Sequence, residues 1–93
     1  MKIKVYATLR DIVGGPVVQL DKVSEIKIDK LIDKLFATYP DMRKEAITRN
    51  GDFHSAFHVL INGRDARYIN GMDTVVTNQD DIRIFPPVGG GLS

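Results

Sequence analysis

Apolar residues recur along the chain with two different periods, and the changes between them mark the elements. From Lys2 to Leu9 the pattern alternates, with Ile3, Val5, Ala7 and Leu9 on one side and Lys2, Lys4, Tyr6 and Thr8 on the other. A period of two predicts a half-buried strand. Ile12 and Val13 then suit a helical turn, which Gly14-Gly15-Pro16 breaks. Val17, Val18 and Leu20 support a second strand, antiparallel to the first. Beyond it the period lengthens. Ile28, Leu31, Ile32, Leu35, Phe36 and Tyr39 fall at the spacings of an amphipathic helix. Lys27, Asp29, Lys30, Asp33 and Lys34 take its outer face. Asp29 and Asp33, like Lys30 and Lys34, are like charges four apart, so no stabilisation from charge pairing is expected. Pro40 stops this helix, and Asp41 to Thr48 suit a short second one.

The C-terminal half reads as strands and turns. Asn50-Gly51-Asp52 is a turn and Phe53 to Ile61 one long strand, followed by a tight turn at Asn62-Gly63. Asp65 to Ile69 suits a brief pairing segment. Asn70-Gly71 and Asn78 to Asp81 are further turns, and Asp81 to Phe85 is the last strand. The order predicts an α+β domain in which one main helix covers one face of a mixed sheet.

Composition narrows the function classes. A chain of 93 residues, 43% hydrophobic and 27% charged, fits one ordinary globular domain. The net charge of +1 argues against a nucleic-acid or polybasic membrane partner, both of which need a concentrated positive field. The chain has no cysteine, hence no disulfide and no thiolate nucleophile. No apolar run approaches the ~20 residues of a membrane span. Met1-Lys2-Ile3-Lys4-Val5 reads as a strand, not a signal peptide, so the cytoplasm is the expected location.

Candidate catalytic groups are sparse. His54 and His58 are four apart, but on a strand that spacing separates them, and no third ligand is evident, so no metal site is expected. Asp80-Asp81 reads as a solvated turn. Ser24, Ser55 and Ser93 lack a histidine and acid context. Gly14-Gly15 lacks the lysine and spacing of a phosphate loop.

The end of the chain is different. Pro86-Pro87 favours an extended exit from the last strand, and Val88-Gly89-Gly90-Gly91-Leu92-Ser93 follows. Three consecutive glycines have little with which to pack on their own domain, and they can enter a channel too narrow for a Cβ. Residues 1–88 are therefore expected to form the domain, and 89–93 a flexible tail. If a carboxylate at the end of the glycines is the reactive group, adenylation by ATP would convert it to a mixed anhydride open to a sulfur donor or an amine. Partners would then supply the catalysis.

Ile84-Phe85-Pro86-Pro87-Val88 followed by Gly90-Gly91 resembles the C-terminal signature of the molybdopterin synthase small subunit (MoaD-like) family. Val5 to Gly14 resembles that family's first strand and turn, and Leu60-Ile61-Asn62-Gly63 and Gly71-Met72-Asp73-Thr74 match further segments. The resemblance implies a β-grasp, ubiquitin-like fold. It also implies sulfur transfer by a subunit that donates sulfur without catalysing by itself. Gly91, preceded by Gly90, would be adenylated by an E1-like enzyme and converted to a thiocarboxylate. ATP would be used by that enzyme, and no cofactor would stay bound to this chain. The tail would then enter the large synthase subunit and serve molybdopterin synthesis. Related carriers serve thiamine synthesis or tRNA thiolation, and some relatives are conjugated to proteins. A third possibility is an interaction module with an inert tail. The family usually ends at the second glycine, whereas Leu92-Ser93 follow it here. Either a processing protease removes them or they are foreign to the native chain.

Alternation also suggests a docking face. Val59 and Ile61 are expected toward the helix, with His58 and Leu60 opposite; Ile82 and Ile84 likewise oppose Arg83 and Phe85. Tyr6, Leu60 and Phe85 would then form an apolar patch outside the core, where a partner could bind. Pro86, Pro87, Val88 and Gly89 would extend that partner surface, with Arg10, Arg64, Arg67 and Arg83 at its rim.

Overall fold

The computed structural model describes residues 1–87. Strand β1 (Lys2–Val5) leads into helix α1 (Thr8–Val13) and strand β2 (Val17–Gln19). A short strand β3 (Glu25–Lys27) runs directly into the main helix α2 (Ile28–Thr38), followed by α3 (Pro40–Ala46). Strands β4 (His58–Ile61), β5 (Arg64–Asp65), β6 (Val75–Thr77) and β7 (Ile82–Phe85) complete the described chain. Short 3-10 turns at Ala66–Tyr68 and Gly71–Asp73 join β5 to β6.

Five strands form one mixed sheet in the order β2-β1-β7-β4-β5. The first and last strands lie side by side at its centre and run parallel, with Lys4 opposite Arg83 and Val5 opposite Ile84. The remaining pairs are antiparallel. On the covered face, Ile3, Val5, Val59, Ile61, Ile82 and Ile84 join Ile28, Leu31, Ile32 and Leu35 of α2 in one buried cluster. Each such side chain contributes roughly 1.5–3 kcal/mol by leaving water. The α+β arrangement expected from the two periods is the one observed.

Helix α2 starts without a side-chain cap. Its first N–H, from Ile28, instead donates to the Thr74 carbonyl at 2.9 Å. That bond extends the small β3–β6 pairing, which the three-residue strands are too short to announce in the sequence. Pro40 ends α2 and also opens α3, as its fixed φ and missing N–H permit at a first helical position.

Two expected strands are shorter than their alternation suggested. β1 ends at Val5, because Ala7 takes φ 52 and turns the chain into α1. Leu9 is buried, but from the helix. The expected strand from Phe53 begins only at His58. Before it, the Phe57 N–H donates to the His54 carbonyl at 3.0 Å and the Ala56 N–H to His54 Nδ1 at 3.1 Å, closing a turn. Phe53 makes one isolated bridge with Ile47 and turns its ring toward Phe36 and Phe57. The Asn62-Gly63 hairpin forms as expected, with positive φ of 55° and 83° at its two loop residues.

Candidate functional site

The face of the sheet away from α2 is built by the alternate positions of the same strands. Register places His58 opposite Phe85, and places Arg83 between Leu60 on one side and Lys4 on the other. Tyr6, just past β1, stacks on Phe85 with ring centroids 4.2 Å apart and planes 10° apart. The Arg10 guanidinium lies over the Tyr6 ring, 5.0 Å from its centroid. Arg10 Nε also donates to the Val5 carbonyl at 2.9 Å, which ties α1 to the end of β1. Leu60 is half-buried and lies diagonally across the strand pair from Phe85. Tyr6, Phe85 and Leu60 thus share this face.

The four arginines expected at the rim have different places. Arg10 lies against the aromatic stack. Arg83 sits in the next row, its Nε donating to Asp81 Oδ2 at 2.7 Å. Arg67 Nη2 donates to the Phe57 carbonyl at 2.7 Å, so it pins the start of β4. Arg64 is exposed on β5 at the sheet edge. Pro86, expected to extend the partner surface, is buried at less than 2% exposure. Its ring anchors the exit of the last strand, and Pro87 beside it is half-buried. Val88, Gly89, Gly90, Gly91, Leu92 and Ser93 lie outside the described residues.

Two polar pairings on this side, around Asp81 and between His58 and Asp65, were not foreseen from the sequence. Asp81 accepts from Lys4 Nζ at 2.9 Å as well as from Arg83. Hydrogen bonds from Lys4, then Arg83, hold its carboxyl below the ordinary aspartate range. The same pairing raises the Arg83 pKa. His58 Nδ1 lies 2.9 Å from Asp65 Oδ2. Burial pushes the Asp65 carboxyl up, but the Arg67 backbone N–H, His58 and the Arg67 charge outweigh it and leave it lowered. Residue parity on β4 placed His58 on the face of Leu60. Nothing local points from His58 to Asp65, because the hairpin brings them together.

Elsewhere, a cleft of about 90 Å³ is lined by Ile28, Phe53, Phe57, Val59 and Met72 among others. It is below the ~300–1,000 Å³ of small-molecule sites, whereas clefts of about 420 Å³ beside Lys4 and Asp81 and about 450 Å³ beside Pro40 and Ile47 reach that size. Among the described residues no group of three or more His, Asp or Glu side chains is placed to hold a metal ion. No described helix is long and apolar enough to cross a membrane. The arrangement offers a surface for docking beside the root of a glycine-rich segment.

A mixed sheet with parallel first and last strands, grasping one main helix, is the β-grasp, ubiquitin-like fold. The chain belongs to the ThiS family, whose model matches residues 3–91. It is 28% identical over 91 residues to small archaeal modifier protein 3 of Haloferax volcanii, covering 98% of each chain. A putative sulfur carrier protein of Archaeoglobus fulgidus is 26% identical, again with 98% of each chain covered. The solution structure of small archaeal modifier protein 1 from Methanosarcina acetivorans superposes with a TM-score of 0.73 at 32% identity, covering 97% of this chain and 94% of that one.

Proposed function

We propose that this protein is a ubiquitin-like carrier, activated at Gly91, that serves as a sulfur carrier and protein modifier of the small archaeal modifier kind. The observation that carries this reading is the family match through residue 91, which includes Gly90-Gly91. The relatives' names, two modifiers and a sulfur carrier, favour it over the narrower molybdopterin reading.

The chemistry is that of a carboxylate made electrophilic. Leu92-Ser93 and anything beyond them are first removed, by a processing protease, to free the Gly91 carboxylate. That carboxylate attacks the α-phosphorus of ATP on an E1-like partner, releasing pyrophosphate and forming an acyl-adenylate. Hydrosulfide from a sulfur donor then displaces AMP to give a thiocarboxylate, or an acceptor lysine amine displaces AMP, losing a proton, to give an isopeptide. This chain's contribution is to dock and to present. Tyr6, Phe85 and Leu60 supply the apolar contact, Arg10 stiffens it, and buried Pro86 fixes where the final segment departs. Pro87, Val88 and Gly89 carry the chain from that surface to Gly90-Gly91. The cytoplasm, where ATP and reduced sulfur are available, is the expected compartment.

Expression of an N-terminally tagged chain in its own cells tests the reading, with Gly91→Ala as control. Isopeptide conjugates or a thiocarboxylate in the wild type, both lost in the variant, support it. A single stable complex with a molybdopterin synthase large subunit, without conjugates, would favour the narrower role. A wild-type chain that stays unmodified and unprocessed would contradict both.

A further inference from the structure

The Asp65–His58 pair has no task in the fold comparable to the buried core, yet it is built with care. Asp65 is the better shielded partner, its side chain 14% exposed against 42% for His58. Its Oδ1 accepts the Arg67 N–H at 2.9 Å and its Oδ2 faces His58 Nδ1 at the same distance. Arg67 is itself fastened to the Phe57 carbonyl, one residue before His58. The carboxylate therefore holds the imidazole from a fixed point.

Deprotonated Asp65 can only accept, so His58 Nδ1 must carry the hydrogen. In the neutral ring Nε2 is then a bare acceptor. His54 is held in the opposite way. Its Nδ1 accepts from the Ala56 N–H, which leaves the hydrogen of the neutral ring on Nε2. The two histidines thus provide a built-in comparison. His58 also stands opposite Phe85 in the ladder, on the face carrying the aromatic stack, and Phe85 immediately precedes buried Pro86. An enzyme that grips the chain beyond Pro87 while resting on Tyr6 and Phe85 covers His58 as well.

We propose that His58, oriented by Asp65, is a polar anchor of the docking face, its Nε2 accepting a hydrogen bond from an N–H or O–H group of the adenylating partner. This rests on the function proposed above. Asp65 acts as a positioning residue. The charged and titratable groups around the ring are Asp65 on β5, Arg67 on the following turn, and Arg83 with its partner Asp81 on the β7 side; the Tyr6 phenol lies beyond Phe85.

The test uses the processed chain ending at Gly91 and the E1-like adenylating enzyme of the same organism, with binding measured by calorimetry at about pH 8. Imidazole nitrogen NMR of the free chain should give the Nδ1–H form for His58 and the Nε2–H form for His54. His58→Phe, which keeps a ring and removes the acceptor, should bind about 3- to 10-fold more weakly at this pH. His58→Gln, which keeps an acceptor, should bind within about 2-fold of wild type there. An Nε2–H form at His58, or full affinity for His58→Phe, overturns the proposal. If wild type binds and is adenylated while His58→Phe matches it, only this inference falls. If wild type does not bind, the proposed function falls with it.

Discussion

The two faces of the central sheet are made by alternate residues of the same strands, and they differ in what holds them. Toward α2, Ile3, Val5, Ile82 and Ile84 are at most 1% exposed and belong to the apolar core cluster. On the other face, Tyr6, Arg83, Phe85, His58 and Leu60 are all half-exposed, and Lys4 is exposed. They are held by one stacked pair, a cation over a ring, and ion pairs around Asp81 and Asp65. Burial dominates the energy of the first face. The second is organised by contacts worth about 0–1.5 kcal/mol each. Such contacts fix where side chains stand without fixing whether the chain folds. On the proposed docking role of the open face, stability and partner recognition should therefore separate by strand parity.

The largest effect should come from the covered face. Leu35→Ala removes a fully buried side chain of α2 and should cost about 2–5 kcal/mol in urea unfolding, with partner affinity unchanged in whatever fraction remains folded. A loss of affinity in the folded fraction would break the separation. Tyr6→Ala should do the reverse. It forfeits about 0.5–1.5 kcal/mol of stacking, but as an interface anchor it should weaken docking to the adenylating enzyme by about 10-fold or more. Equal losses in stability and binding would mean that the stack is merely structural.

A smaller effect tests the junction between the faces. Ala7 holds φ 52 where the strand turns into α1, a conformation that costs a non-glycine residue about 1–3 kcal/mol. Glycine carries an entropy cost of about 0.5–1 kcal/mol. Ala7→Gly should thus stabilise by about 1 kcal/mol, read as a raised urea midpoint. A lowered midpoint would show that the turn is not strained.

The smallest effect is the acid response of the open face. Asp65, Asp80 and Asp81 all have lowered pKa values in the fold, so the unfolded chain binds protons first. Their contribution is complete above the ordinary aspartate value and is lost as pH falls through the folded ones, below about pH 4. Asp81→Asn should flatten this part of a stability titration. Unchanged acid sensitivity in the variant would remove Asp81 from the explanation.

Much of this contrast was legible in the sequence. Parity assigned Val59, Ile61, Ile82 and Ile84 to the core and Leu60, Arg83 and Phe85 to the opposite face, because a paired strand leaves its side chains no third choice. The helix at 28–38 was legible for the same reason at a longer period. Alternation misled where it was incidental. Ala7 and Leu9 continue the parity of Ile3 and Val5, but the chain has already turned. Phe53 to Phe57 likewise reads as strand, whereas the His54 side chain and carbonyl close a turn there. The shared open face of Tyr6, Leu60 and Phe85 was visible in outline, and its fastening was not. The Arg10–Tyr6 contact, the Lys4–Asp81 pair 77 residues apart, and the His58–Asp65 pair depend on distances that only the fold creates. Pro86 was placed on the surface because proline pairs signal an exit, and its burial depends on the sheet behind it.

The most direct measurement is the intact mass of a chain ending at Gly91, incubated with the E1-like enzyme, ATP and a sulfur donor. An oxygen-to-sulfur gain that requires ATP and disappears in Gly91→Ala is the expected result. No gain, from an enzyme that modifies another carrier under the same conditions, would contradict the claim that this domain exists to present an activated glycine.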